Sequence, residues 1–499
     1  MTQESFTPRS NQPPNFVSIK INLRHRKVDG GKVEQVDQPN PIDLLAMNVV
    51  GEVMYYETVF SPATSVSMTI VNPNIRTKVF EDYALLGGEQ VEIYATDVHD
   101  QDKTNEDSEL YFAGIVTQVD NITSNNFAEV FRIRASSEWE FPNGSGISGN
   151  IEGTPSKIAS AILDEAYKKN NARIVFPNAG GNDNDVNERR EKQLKMYADP
   201  SNNNVTFNIG KEKKDNVMAL LMRLAAMARI DRTSAGFFFY RNNKGYFFRS
   251  IDRMIESASE GYKSEYPNKG LNWPAPKIFK YTYNGYNPGL ENAKQSLFSV
   301  ATLQLQTNDS VQMKQLGFDG NSEIITTDLL KYNFYTSSQN DNPAIQFDFK
   351  LAKNNVYEKL DWGKGDTTNL FTRQINMGLT FTDKLFDDNN LPTLNRYYDP
   401  HKAMAIGKAR YSSLLGVSVT MTVPLNFNLI AGTMVEVEIL RTKPQQDCSI
   451  EESQDLSDYS GLYIIAGVCH ALDRKKGYSS LHLVRDQGKF VSQQNKKLF

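Results

Sequence analysis

The sequence predicts a mainly β protein with α+β insertions that contains two homologous small β-barrels. One pattern occurs near each end of the chain: G-x-x-V-E-[I/V], then L-Y followed by A-G-[I/V], then an alternating strand. It covers residues 88–134 in the front copy and 432–485 in the back copy. A repeated unit of this size indicates two similar domains. Short segments of alternating polarity around a few helical patterns support the same fold class.

Length and composition limit the architecture and the partners. A chain of 499 residues is too long for one domain, and its length indicates roughly three or four. Aromatic residues make up 11%, enough to fill several small cores. The net charge of −4, without a long basic run, gives no indication of specific nucleic-acid binding. The two cysteines, Cys448 and Cys469, cannot form a disulfide framework, so we expect reduced thiols in a protein folded in cytoplasm.

Neither a secretion signal nor a membrane span is expected. The first fourteen residues are polar and lack the apolar stretch of a signal peptide. No run of 18 apolar residues occurs anywhere in the chain. A function outside a cell would therefore require lysis or transport within a particle.

The front copy of the pattern lies in a series of predicted strands. Residues 16–23 alternate strictly, and Pro62 marks a turn because proline cannot donate to a strand ladder. An acidic loop separates the fourth and fifth strands. The predicted strands are Phe16–Leu23, Val53–Phe60, Ser65–Val71, Gln90–Ala95, Leu110–Val119 and Val130–Ala135.

Helical patterns and a hairpin follow in the middle of the chain. Thr154 suits the N-cap and Pro155 the first turn of a helix that continues to Lys169. A second helix, capped by Asp215, is expected over Val217–Arg229. A turn at residues 242–245 joins two strands in a hairpin.

The back copy lies in a second series of strands, after a helix predicted over Lys402–Leu415. These strands are Val417–Val423, Thr433–Ile439, Leu462–His470 and Ser479–Arg485. They are too few to close a barrel, so we expect strands between Tyr281 and Gln306 to complete it. The predicted domains are 1–145 (first barrel), 146–275 (helix-containing α+β), 276–308 plus 405–490 (second barrel), 309–404 (inserted mixed domain) and 491–499 (C-terminal tail).

Two short segments raise the question of catalysis, and neither supports it. Cys469 and His470 are adjacent on a strand, where neighbouring side chains point to opposite faces, so they do not form a nucleophile–base pair. Residues 144–149 resemble a nucleophile elbow only loosely, because the middle residue of 144–148 is Gly146, and we interpret them as a linker. Glu138 and Glu140 are interpreted as a solvated strand end rather than as paired catalytic carboxylates.

Metal and cofactor sites are also not indicated. The acidic segment 97–107 lacks the calcium-loop pattern and is interpreted as a surface loop. The Met-rich helix from Val217 is interpreted as a core helix rather than a binding groove. Zinc-ligand spacing and phosphate-binding loops are absent from the sequence. The sequence therefore names no catalytic, cofactor or metal residue and predicts a non-enzymatic protein without a cofactor.

Four segments of the back copy carry a resemblance to a known family. They are Val417–Val423, Ile430–Val437, Ser460–His470 and Tyr478–Asp486. Together they resemble the baseplate hub proteins of contractile-tailed phages, the T-even hub family, and the N-terminal hub part of type VI secretion spike proteins. In that family, Gly-x-Tyr-x-Val-x-x-Val-x-His and Tyr-x-Thr-x-Leu-x-Leu-x-Arg close the second tube barrel. Here Ile465-Ala-Gly precedes Val468, and Ser480 stands for Thr.

The front copy and the middle of the chain extend this resemblance to about two thirds of the sequence. Tyr55–Glu57, Ser61-Pro62 and Val66–Ile70 resemble the hub segment Glu…Ser-Pro…strand. Phe112–Val116 is similar to its F-x-G-x-[I/V] strand. The helices and the hairpin follow the family's order, whereas 309–404 matches nothing.

The resemblance implies a homotrimer whose six tube-type barrels form a pseudo-hexameric ring. One face would receive the tail tube protein and the other a central spike protein, with baseplate wedge proteins as further partners. The expected location is the virion tail baseplate, assembled in the host cytoplasm. Strands Val66–Val71 and Val417–Val423 are the candidate tube-facing surfaces.

Two alternatives remain open from the sequence. The first is a hub of a bacterial contractile injection or secretion machine, which would share the fold; the polar end at Phe499 favours a phage protein with a separate spike. The second is a tail-associated cell-wall hydrolase that acts through two carboxylates. No motif supports it.

Overall fold

The protein is mainly β, as the sequence predicts. We describe it from a computed structural model. The described residues are 15–28, 32–73, 79, 85, 87–96, 109–124, 128–137, 149–170, 193–201, 205–209, 217–228, 230, 236–256, 278–284, 299–307, 321–328, 333–335, 345–348, 373–377, 411, 414, 417–440, 459–473 and 477–485.

The N-terminal part consists of strands whose apolar side chains alternate with polar ones. Their bounds are β1 Asn15–Val28, β2 Lys32–Asp43, β3 Val50–Thr58, β4 Ser65–Asn72, β5 Gln90–Thr96, β6 Glu109–Ser124 and β7 Glu129–Ser136. All six predicted strands are confirmed, and β2 is an additional strand. Alternation places one side of each strand in the core and the other towards the surface.

In the middle of the chain, the described residues form two sheets and three helices. The elements are β8 Gly149–Gly153, α1 Pro155–Asn170, β9 Met196–Ala198, β10 Val205–Ile209, α2 Val217–Met227, β11 Phe237–Asn242, β12 Gly245–Ser250 and α3 Ile251–Glu256. Both predicted long helices and the hairpin are confirmed. Helix α1 begins at a proline, and the Ile158 amide donates to the Thr154 carbonyl at 3.0 Å, which closes its first turn.

The remaining strands fall into two groups. Short strands in the region of the predicted insertion are β15 Asn321–Asp328, β16 Asn333–Tyr335, β17 Ile345–Asp348 and β18 Arg373–Met377. The others are β13 Phe279–Asn284, β14 Thr302–Thr307, β19 Val417–Pro424, β20 Met434–Leu440, β21 Gly461–Leu472 and β22 Gly477–Arg485. The four strands predicted after Val417 are confirmed. The predicted helix Lys402–Leu415 lies outside the described residues except for Tyr411 and Leu414.

One 13-stranded sheet joins the two ends of the chain. Its order is β14-β19-β22-β21-β3-β4-β7-β6-β5-β1-β2, with β20 beside β21 and β13 beside β20. Strands β13 and β14, from the segment expected to complete the second barrel, pair with β20 and β19. Neither barrel closure nor the domain boundaries follow from this order, and both remain predictions.

The buried core connects the parts of the chain. Leu425, Phe427 and Leu472 from the C-terminal part complete the core around β1 and β3–β7. Helices α1 and α2 pack together over the hairpin β11–β12. The other face of that hairpin packs against β20 and β21 through residues such as Tyr240 and Met434. Among the described helices, none is long and apolar enough to cross a membrane.

Candidate assembly site

The two copies of the repeat have the same strand order. We call β1 and β3–β7 the front unit, and β13, β14 and β19–β22 the back unit. Pairing in the front unit runs β3-β4-β7-β6-β5-β1, and in the back unit β14-β19-β22-β21-β20-β13. The last pair differs, because β1 is antiparallel to β5 whereas β13 is parallel to β20. The sequence repeat is therefore a structural repeat.

Strands β4 and β19 show the repeat most clearly. Ser65–Ile70 reads S-V-S-M-T-I and Ser418–Val423 reads S-V-T-M-T-V. Met68 lies opposite Ile133 in β7, and Met421 lies opposite Leu481 in β22. Sequence reasoning named both strands as candidate tube-facing surfaces but missed that they are copies of one hexapeptide. Each has a strand on both sides, so each offers a partner its Ser/Thr face rather than an edge.

Two glycines occupy equivalent turns in the units. Gly88 has φ 87° and Gly432 has φ 85°, a left-handed conformation that favours glycine. The Gly88 amide donates to the Val116 carbonyl at 2.7 Å, and the Gly432 amide donates to the Ile465 carbonyl at 2.9 Å. The match of conformation and hydrogen bond explains why the repeated pattern begins with glycine.

The Ala-Gly part of the sequence pattern is not structurally equivalent in the two copies. A β-bulge interrupts the β6–β7 pairing at Thr117 and the β21–β22 pairing at Ala466. These bulges, rather than the two Ala-Gly pairs, occupy matching positions. Gly114 lies opposite Val91, and its structural counterpart is Tyr463, which lies opposite Val435. The sequence comparison was wrong here because it aligned the two Ala-Gly pairs with each other, and that alignment does not agree with the strand register.

The units are joined edge to edge within the sheet. Strand β21 of the back unit pairs antiparallel with β3 of the front unit, from Gly467 opposite Thr58 to Leu472 opposite Val53. At the bulge, the Ala466 carbonyl accepts hydrogen bonds from the Thr58 hydroxyl and the Val59 amide, both at 2.8 Å. We call this contact the internal join.

A buried carboxylate lies at the internal join. Glu57 is 2% exposed, and its oxygens accept hydrogen bonds from the Ala431 amide at 2.7 Å, the Asn243 amide at 2.8 Å and the Tyr55 hydroxyl at 2.8 Å. Burial raises the pKa of Glu57 from its usual 4.5 to about 7, against the opposing effect of these donors. One side chain thus links the front unit, the back unit and the hairpin.

The turn of the β11–β12 hairpin fits into the internal join. The Asn242 side-chain amide donates to the Ala431 carbonyl at 3.0 Å. The Asn243 side chain donates to the Glu109 carbonyl at 2.5 Å and accepts from the Tyr111 amide at 3.1 Å. Sequence reasoning predicted this turn but not its partners, because contacts across more than a hundred residues leave no local pattern.

Cys469 and His470 take the positions expected of adjacent strand residues. Cys469 is half-buried, whereas His470 is 1% exposed and stacks against Tyr55 with ring centroids 6.2 Å apart. Its Nδ1 lies 2.9 Å from the Ser479 hydroxyl. Burial lowers the pKa of His470 from 6.5 to about 3, so the ring is neutral at physiological pH. Both residues belong to the internal join, where they lie opposite Tyr56 and Tyr55.

The other sequence candidates divide into a core element and segments that are not described. Helix α2 is buried along Val217, Leu220, Leu221 and Leu224, which confirms its interpretation as a core helix. Glu138, Glu140, and the segments 97–107 and 144–148 lie outside the described residues. Within the described ranges, no group of three or more His, Cys, Asp or Glu side chains could hold a metal ion.

No family model and no curated protein matches the chain in sequence. Solved structures similar to it include the tail protein from Neisseria meningitidis MC58, with 9% identity, TM-score 0.45, and coverage of 94% of this chain and 97% of that one. The 43 kDa tail protein of prophage MuSo2 from Shewanella oneidensis has 10% identity, TM-score 0.44, and coverage of 94% and 98%. The E. coli c3393 protein, a component of the type VI secretion system, has 8% identity, TM-score 0.36, and coverage of 89% and 75%. Because these TM-scores are below 0.5, we infer function from the chain's own residues and pairings.

Proposed function

We propose that the protein is a structural, non-enzymatic component of a phage tail: a homotrimeric baseplate hub that joins the six-fold tail tube to a three-fold spike. The observation that carries this proposal is the internal join, in which one repeat unit continues the sheet of the other. A contact that links unit to unit in this way can be repeated between chains. The resemblance of segments 417–423, 430–437, 460–470 and 478–486 to hub proteins supports the same role.

Ring closure follows from the physics of sheet edges. An exposed strand edge presents unpaired backbone groups and tends to associate. A head-to-tail contact either closes into a ring or grows into a filament. Three chains with two units each would present six similar units, which matches a six-fold tube on one face and a three-fold spike on the other.

The proposed partners follow from this geometry. They are two further copies of this chain, a tail tube protein, a central spike protein and baseplate wedge proteins, within a virion tail. The same ring would serve as the hub of a bacterial contractile injection machine, and the identity of the co-assembling tube and spike would distinguish the two settings.

The mass of the particle in solution tests the proposal. Three copies of 56.4 kDa give about 169 kDa by light scattering. We expect that mass for the purified chain. If assembly requires the spike protein, we expect the complex to have this mass plus the mass of the bound spike. A stable monomer at micromolar concentration, with and without the spike, would overturn the trimeric hub.

A further inference from the structure

The shared sheet contains two stretches of strand edge, in β6 and in β14, for which the described residues supply no partner. Residues 109–115 of β6 pair with β5, and residues 115–124 of the same strand pair with β7. After the bulge at Thr117, β6 therefore pairs with β7 on one side and has no described strand on the side that β5 occupies earlier in β6. Residues 302–307 of β14 pair with β19 on one side and with no described strand on the other. Strand β13 reaches only the segment before β14, through a bridge between Thr282 and Ser299.

These two edges are the counterparts of the strands that form the internal join. Val119 of β6 lies opposite Ile133, as Val468 of β21 lies opposite Leu481. Leu303 of β14 lies opposite Met421, as Val53 of β3 lies opposite Met68. Because Met421 and Met68 are equivalent, Leu303 of β14 corresponds to Val53 of β3. Counting three residues along each strand, Gln306 corresponds to Tyr56.

The apolar residues at the two edges are less covered than their counterparts. In the internal join, Val53, Tyr55 and Val468 are all at most 3% exposed. Their equivalents at the edges, Leu303, Leu305 and Val119, are only partly buried. Ile122, farther along the same edge of β6, is 45% exposed. Apolar side chains are thus partly exposed at these edges, whereas their counterparts in the internal join are buried.

The directions of the two edge strands are compatible with pairing. From β14 to β6 the sheet contains eight strands, and every neighbouring pair is antiparallel. With an even number of alternating strands, the two edges run in opposite directions. A second copy can therefore continue the sheet with antiparallel pairing, the same type of pairing as in the internal join.

We propose that the β6 edge of one copy pairs with the β14 edge of a second copy in the register of the internal join. Cys469 lies opposite Tyr56 and Val468 opposite Glu57 in that join. Transfer of this register to the edges places Asp120 opposite Gln306 of the second copy and Val119 opposite its Thr307. The Thr117 carbonyl at the bulge then takes the role of the Ala466 carbonyl. The inference rests on the proposed ring and specifies which edges and residues form its contacts between copies.

Cysteine cross-linking of the full-length protein tests the register. The variant Asp120→Cys/Gln306→Cys is oxidised mildly and run on a denaturing gel without reductant. Because each chain then carries one cysteine at each edge, we expect covalent dimers and trimers. Each single variant should give at least tenfold less cross-linked product. A second pair, Val119→Cys/Thr307→Cys, tests the neighbouring position if the first variant folds poorly.

Two matched controls define the outcome. Asp120→Cys/Thr302→Cys places the second thiol four residues away on the same edge and should cross-link at least tenfold less. Tyr56→Cys places a thiol opposite the native Cys469 in the internal join and should form a bridge within one chain, without a higher band.

The possible results separate this inference from the proposed function. A trimer by light scattering that cross-links at the displaced pair, or at neither pair, overturns the register or the edge contact while the trimeric hub stands. A monomer by light scattering overturns both. Trimeric bands from the register-matched pairs alone support both.

Discussion

The internal join and the two sheet edges are built from equivalent strands but carry different residues. In the join, Glu57 follows Tyr56 and accepts three hydrogen bonds. On β14, Thr307 follows Gln306 at the matching position. The backbone order of the repeat is retained, whereas the acidic residue occurs only in β3, the strand that pairs with β21 and whose Glu57 accepts from the hairpin turn. The comparison indicates that the join became specialised where a third element docks.

The same specialisation appears at the paired glycines. An added Cβ on Gly88 would meet no atom within 4 Å, whereas one on Gly432 would overlap with the phenol of Tyr240 from the hairpin. Both glycines retain the left-handed conformation and the hydrogen bond to the neighbouring strand. The shared features belong to the repeat, and the close contact belongs to the docking of the hairpin.

Removal of the buried carboxylate should have the largest effect. Glu57→Ala leaves the Ala431 amide, the Asn243 amide and the Tyr55 hydroxyl buried without their acceptor. Each such loss costs roughly 1–3 kcal/mol, so we expect the free energy of unfolding to fall by about 4 kcal/mol. Denaturant unfolding followed by circular dichroism measures it.

The matched control for this prediction is Thr307→Ala at the equivalent position of β14. Threonine carries no carboxylate, and we expect a loss below about 1 kcal/mol. Equal losses in the two variants would show that the internal join is not specialised in the way its hydrogen bonds indicate.

The second prediction concerns pH. Glu57 has a pKa of about 7 in the folded protein against its usual 4.5, so the folded chain keeps a proton that the unfolded chain releases between these values. The stability from this group is complete below about pH 4.5 and is lost as the pH rises through 7. Glu57→Gln lacks this loss. We therefore expect its deficit in unfolding free energy, relative to wild type, to shrink by about 3 kcal/mol from pH 4.5 to 7.

The comparison with wild type is needed because His470 acts in the opposite direction. Its pKa is lowered from 6.5 to about 3, so its contribution is present above pH 6.5 and is lost as the pH falls towards 3. The two groups offset each other between pH 4.5 and 6.5 in wild type. His470 is unchanged in Glu57→Gln and cancels in the difference. A deficit that stays constant with pH, as expected for Thr307→Ala, would rule out titration of Glu57 in this range.

Local elements of the fold could be predicted because their physical causes are local. Alternating polarity gave the strands, and Thr154-Pro155 gave the start of α1. Strand β2 was missed because Pro39 and Pro41 argue against a strand. It is the last strand of the sheet path and pairs only with β1 among the described strands. A proline is tolerated there, since its missing N–H can lie on the unpaired side.

The candidate site was less accessible to sequence reasoning. Glu57 and Ala431 are 374 residues apart, and no local pattern marks either as a partner of the other. The copied hexapeptides at 65–70 and 418–423 were a usable sign of the repeat. Their alignment would have fixed the strand equivalence and corrected the misplaced Ala-Gly match. The hairpin turn was predictable from its residues, but its docking position depends on the folded arrangement of both units.

The paired glycines provide the finest test of the comparison. Gly88→Ala and Gly432→Ala both place a side chain at positive φ, which costs roughly 1–2 kcal/mol in each unit. Gly432→Ala also forces its methyl group against the buried Tyr240 ring, and overpacking of this kind costs about 2 kcal/mol more. The difference in melting temperature and unfolding free energy between the two variants therefore measures the cost of the contact with Tyr240, separately from the cost of the shared turn.

Tyr240→Leu serves as the control. In the Gly432→Ala background it removes the clashing ring end and should narrow that difference, whereas in the Gly88→Ala background it should only lower the stability. If the two alanine variants were equally stable, the contact between the hairpin and the back unit would be looser than the packing of Tyr240 on Gly432 requires.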